Sequence, residues 1–252
     1  SAASDVYKRQ KFLFEQGRIP ADSAIIDDEE AVSIIADYRN EDEEGVTRDF
    51  NRYKGYQTII FFQHFIYQLE HQHPWKYYLH PESFTDDDRE AVKHICASQK
   101  IEYDEQAVVN IYHHAQEYMD EANAPGLDGK TADRIRVLLW KMYYANCYAR
   151  YKEENHLFDF EDLLLYTYDI YRSDPTCKRY PWIQVDEVQD LNGMQLAIID
   201  LLTAEDNPMV MYLGDEQQAI FSFMGAKVET LTLLKMRCKG NIHHCLLYTS
   251  DA

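Results

Sequence analysis

Basic residues are scarce in this chain. Its 25 Lys and Arg stand against 44 Asp and Glu, a formal net charge of −19, so it lacks the overall positive field that holds a protein on nucleic acid or on an anionic membrane. Glycine and proline are also few, at nine and seven, which excludes a collagen-like or low-complexity chain. The five cysteines have no Cys-x-x-Cys spacing and no histidine set stands at zinc-ligand spacing beside them. Structural zinc is therefore not expected, and free thiols in a reducing cytoplasm are. No apolar run approaches the ~18 residues of a membrane span. The most apolar stretch, residues 58–69, is interrupted by Gln63, His64 and Gln68.

What is present is the composition of a globular protein, 46% apolar and 27% charged. Apolar spacing predicts helices over residues 28–39, 55–72, 85–99, 104–122, 131–154 and 159–172, with breaks at His73-Pro74, His80-Pro81 and Ala124-Pro125-Gly126. Near residue 175 this helical block gives way to alternating strands and helices. The acid runs at 27–30, 41–44, 82–90 and 102–105 read as solvated helix starts, where the helix dipole favours carboxylates. Twenty tyrosines are expected mainly to pack their rings and keep their hydroxyls wet.

Two short segments in the second block carry the chemistry. Trp182-Ile183-Gln184-Val185 reads as a buried strand ending on Asp186 and Glu187, and residues 191–203 read as the helix that follows. Residues 208–213 form a second apolar strand, ending on Gly214-Asp215. Alone, an acidic pair after a strand is most simply a helix cap. Repeated on parallel neighbours, it places Asp186, Asp215 and Gln218 at one sheet edge, where open α/β sheets bind phosphates. One carboxylate there suits Mg²⁺, a second can orient or deprotonate water, and a neutral amide can sense a γ-phosphate.

Val185-Asp186-Glu187-Val188-Gln189-Asp190 and Gly214-Asp215-Glu216-Gln217-Gln218-Ala219-Ile220-Phe221-Ser222-Phe223-Met224-Gly225-Ala226 resemble motifs II and III of superfamily 1 DNA helicases of the UvrD/Rep type. The resemblance implies an α/β fold: a partial RecA-like P-loop NTPase domain with a parallel sheet, preceded by an all-helical 1B-like subdomain. It implies ATP and Mg²⁺ as cofactors, with Asp186 on the metal, Glu187 and Gln218 catalytic, and Gln189, Asp190 and Asp215 completing the nucleotide site. Phe221 and Phe223 would contact single-stranded DNA, where a stacked base is worth about 1–3 kcal/mol. Ala219, Phe221 and Met224 replace the family's Ser, Tyr and Arg. The last substitution removes a cation able to bridge carboxylate and phosphate. Upstream, Asp159-Phe160-Glu161-Asp162-Leu163 resembles the family's Asp-Phe-x-Asp-Leu element, and residues 24–30 resemble the start of its helical subdomain.

The family's phosphate loop, Gly-x-x-x-x-Gly-Lys-Ser/Thr, is missing. Ala124-Pro125-Gly126-Leu127-Asp128-Gly129-Lys130-Thr131 comes nearest, but it follows a polar helix end rather than a strand and is read as a helix-to-helix turn. Residues 1–10 and 245–252 back-translate into complementary DNA resembling a transposon-end sequencing adapter, so both are expected to be non-native. The expected layout is a 1B-like subdomain over 11–155 and the second half of domain 1A over 156–244. The expected function is that of part of an ATP-dependent 3′–5′ DNA helicase acting on single strands and duplex junctions, with no membrane partner and no activity of its own. A DNA-dependent ATPase switch or scaffold is the second reading, and a helical interaction protein the third. For the tyrosine faces, the alternative to packing is a DNA-facing surface interleaved with Lys54, Lys76, Lys141, Arg150 and Lys152.

Overall fold

A computed structural model describes residues 13, 17, 19–20, 22–214, 226–239 and 241–242, with the backbone alone over 226–231. The chain divides into two compact units, Ser1–Ser173 and Asp174–Ala252.

In the first unit, β1 (Ala24–Ile25) leads into α1 (Asp28–Tyr38). Asp27 caps that helix, accepting from the amides of Glu29 and Glu30 while Glu30 accepts from the Asp27 amide. This reciprocal box satisfies donors that would otherwise be orphaned in the first turn. A short α2 (Glu43–Arg48) and the long α3 (Phe50–Glu70) follow. The latter starts five residues earlier than its apolar spacing predicts because Asp49 caps it, accepting from Asn51 and Arg52. α4 (Asp86–Gln99) carries a second capping box, between Thr85 and Asp88. α5 (Glu105–His113) stops short of the predicted 122, and the chain resumes as a 3₁₀ turn at Met119–Asn123. The bend buries Ala115 and Ala122 in the core.

α6 (Gly129–Glu154) spans the unit, β2 (Leu157–Phe158) pairs in parallel with β1, and α7 (Phe160–Ser173) closes it. Ile35, Phe62, Ile66, Ile95, Ile111, Leu138, Leu139 and Met142 are essentially inaccessible and form one continuous core. Residues 156–173 pack with the helices that precede them, and the compact units divide at 173/174. The reason is chemical, since Asp159 and Asp162 at the start of α7 bind side chains of α3 and α6.

In the second unit, β3 (Trp182–Val185) is followed by α8 (Gly193–Leu202), β4 (Met209–Tyr212) and α9 (Ala226–Arg237). α8 begins with an Asn192–Gln195 capping box. β3 and β4 are parallel neighbours in the register Trp182↔Met209 to Val185↔Tyr212. Val185, Val210 and Tyr212 pack against a core of Val188, Leu196, Ile199 and Leu234. β3 is not the buried strand its apolar run predicts, since Trp182 is exposed, and Met209 and Met211 of β4 are exposed as well. The side-chain alternation of a strand sends them to the opposite face, which no described element of this unit covers. The whole is α/β in composition, mostly helical with small parallel sheets.

Candidate functional site

The carboxyl ends of β3 and β4 are joined by backbone. Leu213 donates its amide to Val185 O at 2.8 Å, and Val188 donates back to Leu213 O at 3.0 Å. Between them the chain must turn sharply, and Glu187 takes a left-handed conformation, φ 53° and ψ 42°. For a residue with a β-carbon this backbone costs about 1–3 kcal/mol and clusters at functional positions. The Asp186 carboxylate accepts from the Glu187 amide through Oδ1 at 2.9 Å. Glu187 in turn accepts from the side-chain amide of Gln189, which is itself buried.

Gly214 completes the arrangement. A β-carbon there would meet Gln189 Oε1 at 2.6 Å, Val188 Cγ2 at 2.7 Å and the Val188 nitrogen at 3.2 Å, so only glycine lets β4 run so close to the turn after β3. Asp186, Glu187, Gln189 and Asp190 are thus held on one turn beside Gly214. Asp215, Gln218, Phe221 and Phe223 lie outside the described residues, as do Ala219 and Met224.

The Lys130 segment has a different architecture. Asp128 caps α6 by accepting from the Thr131 amide and hydroxyl, and a 3₁₀ turn rather than a strand precedes it. The segment is thus a turn into a helix, with Asp128 as its cap and Thr131 in the first turn.

A second polar cluster, whose reach the sequence did not reveal, lies in the first unit. The Lys152 ammonium is 4% exposed and contacts Asp159 Oδ2 at 2.8 Å, Asp162 Oδ2 at 2.6 Å and Gln63 Oε1 at 3.1 Å. Asp159 also meets His64 Nε2 at 2.9 Å and the Tyr148 hydroxyl at 2.8 Å. Burial disfavours the ionised Asp159, but His64 and Lys152 outweigh it and hold its pKa well below the usual value. Burial and the neighbouring Asp159 push Asp162 upward.

The Asp-Phe-x-Asp-Leu element is thus the hub of a buried ionic network and not merely a helix start. His64, Asp159 and Glu161 bring ligand-type atoms within 4.8 Å of one another, a grouping missed because 95 residues separate the first two. Lys152 already supplies a cation to Asp159 there, which opposes a second one. Of the cations expected on a DNA-facing surface, Lys152 is internal and Lys141 is tied to Asp88 and the Ser83 carbonyl. Their charges are spent within the fold.

These features define a parallel α/β edge with an acidic turn, joined in sequence to a helical block. A family model for the UvrD/REP helicase N-terminal domain matches residues 10–239, and the chain belongs to that family. It is similar to DNA helicase II of Escherichia coli (strain K12), with 36% identity over 97 residues, covering 36% of this chain and 13% of that protein. It also resembles a probable DNA helicase II homolog of Mycoplasma capricolum, 24% identical over 160 residues, covering 58% of this chain and 21% of the relative. The ATP-dependent DNA helicase PcrA of Leuconostoc citreum is 30% identical over 95 residues, covering 34% and 13%. The chain therefore spans about a fifth or less of the length of these relatives.

Proposed function

We propose that these residues belong to a longer ATP-driven DNA helicase that translocates 3′–5′ on single strands and unwinds duplex junctions in the cytoplasm. Residues 11–155 serve as its 1B-like subdomain and 156–244 as the second half of its RecA-like domain 1A. The observation that carries this reading is the β3–β4 edge, where Glu187 is held in a left-handed turn and bonded to Gln189 beside Gly214.

Asp186 suits Mg²⁺ in donor chemistry, being an exposed carboxylate with only Oδ1 engaged among the described residues; Mg²⁺ takes oxygen ligands from one or two carboxylates plus phosphates. When bound, the ion neutralises charge on the β- and γ-phosphates. Glu187 orients and deprotonates the attacking water, and Gln189 fixes the rotamer from which it does so. Gln218 contacts the γ-phosphate, Asp190 and Asp215 complete the nucleotide site, and Phe221 and Phe223 stack on single-stranded DNA. The 252 residues alone hydrolyse no ATP, since their sequence contains no phosphate loop.

In the complete protein, Glu187→Gln is expected to bind a fluorescent ATP analogue normally while hydrolysis falls to background. Asp186→Asn should lose the Mg²⁺ dependence of that binding. Wild-type turnover by Glu187→Gln would refute the assignment.

A further inference from the structure

The turn after α3 presents Trp75, at 78% the most exposed large apolar side chain among the described residues. Residues 71–81, HQHPWKYYLHP, contain no acid although the chain carries −19 overall. The turn is ordered by its backbone: Tyr77 donates to Pro74 O at 2.8 Å and Tyr78 to Trp75 O at 3.2 Å. The Lys76 ammonium lies 4.8 Å from the centre of the Tyr77 ring.

Arg172, near the end of α7, reaches the same turn and donates to His71 O at 3.3 Å and Gln72 O at 3.2 Å. Neither Lys76 nor Arg172 pairs with a carboxylate among the described residues. The nearby acids are engaged elsewhere, Asp169 with His73 Nε2 and the Tyr67 hydroxyl, and Glu70 with His113. Only His73 and Pro74 separate Gln72 from Trp75, so their Cα atoms are at most about 11 Å apart.

We propose that this turn is a single-stranded nucleic-acid contact, with Trp75 stacked on a base and Lys76 and Arg172 on phosphates. It rests on the helicase reading above and adds a surface remote in sequence from Phe223. Charge complementarity selects the partner: an apolar protein ligand would need the indole but not two unpaired cations, whereas a single strand offers a π-face and a phosphate at every step. A single aromatic with flanking cations is sequence-tolerant, as a translocating protein requires.

The test uses the 252-residue chain and a short fluorescein-labelled oligothymidylate, read by anisotropy at low salt. Trp75→Ala should weaken binding roughly tenfold. Lys76→Gln and Arg172→Gln should each reduce the salt slope by about one. Phe50→Ala, which removes an exposed ring elsewhere, should bind as wild type. With Trp140→Phe and Trp182→Phe combined, Trp75 is the only indole left, and its emission should be quenched by the oligonucleotide.

Unchanged affinity in Trp75→Ala, unquenched emission at saturation, or no binding by the wild-type chain would each overturn the proposal. None of these would touch the nucleotide site, whose test is ATP-analogue binding by the complete protein. Failure of that test with Trp75 still quenched would leave a nucleic-acid surface on a protein that is not a motor.

Discussion

Gly214 lies against Gln189 so closely that a β-carbon would come within 2.6 Å of its side-chain oxygen. The two residues belong to different motifs, and their approach holds the turn after β3 to the end of β4.

Gly214→Ala is therefore expected to push β4 from the turn rather than merely displace a flexible side chain, because Val188 and its backbone nitrogen also stand in the way. Overpacking of this kind costs about 1–3 kcal/mol. Urea unfolding followed by near-ultraviolet circular dichroism should show a lower midpoint at an unchanged slope. Unaltered stability would mean the turn yields freely.

A second prediction concerns Lys152. Lys152→Met keeps the volume but leaves Asp159 and Asp162 buried without their cation, and breaking a buried pair on one side typically costs about 3–5 kcal/mol. Adding Asp162→Asn should recover part of the loss by removing the repulsion, and the double-mutant cycle measures the coupling. If Lys152→Met melts with the wild type, the network does not brace α3, α6 and α7.

These two clusters mark where the sequence was and was not legible. Long helices and the β3–β4 pair follow from local periodicity, and the acidic turn follows from its place at a strand end. Gln189–Glu187 and Gly214–Val188 are close in sequence or one βαβ step apart, so motif spacing anticipates them. The Lys152 network joins Gln63 and His64 to Asp159 and Asp162 across a whole helical bundle, and nothing local to either segment announces the other. The same holds for Lys141, which reads as a surface cation until its distant partner Asp88 is seen. Exposure of Trp182 and Met209 was equally hidden, because an apolar run records what a strand needs on two faces and not which face is covered.

The pH profile should carry the signature of Glu41 and Tyr56. The Tyr56 hydroxyl donates to Glu41 at 2.6 Å, and Arg39 approaches the same carboxylate at 3.0 Å. The hydrogen bond from Tyr56, aided by Arg52 and Arg39, holds Glu41 down to about 2 from 4.5, against the opposing effect of burial. Burial and then Glu41 raise Tyr56 from 10.0 to about 12. A depressed acid stabilises fully above its unfolded value and loses that contribution as pH falls from 4.5 toward 2. A raised tyrosine stabilises below 10 and loses its contribution as pH rises toward 12. Thermal melts of the wild type and Tyr56→Phe should therefore differ most between pH 5 and 9 and converge at both extremes. A constant offset across pH would assign the difference to packing alone.

The last prediction concerns how the complete protein couples ATP to DNA. On the helicase reading proposed above, Met224 stands where motif III of the resembled family has Arg, and residues 214–226 contain no cation that could bridge carboxylate and phosphate. Phe223→Ala should weaken binding to a single strand by one stacked base, about 1–3 kcal/mol, with little dependence on sequence. Met224→Arg should leave basal hydrolysis near wild type while increasing its stimulation by DNA, because the restored charge acts only where DNA and nucleotide are both bound. Titrating single-stranded DNA into a steady-state ATPase assay separates the two effects, with Phe223→Ala shifting the half-saturating concentration and Met224→Arg shifting the plateau. Equal plateaus for Met224→Arg and wild type would reject a coupling role for a cation at that position.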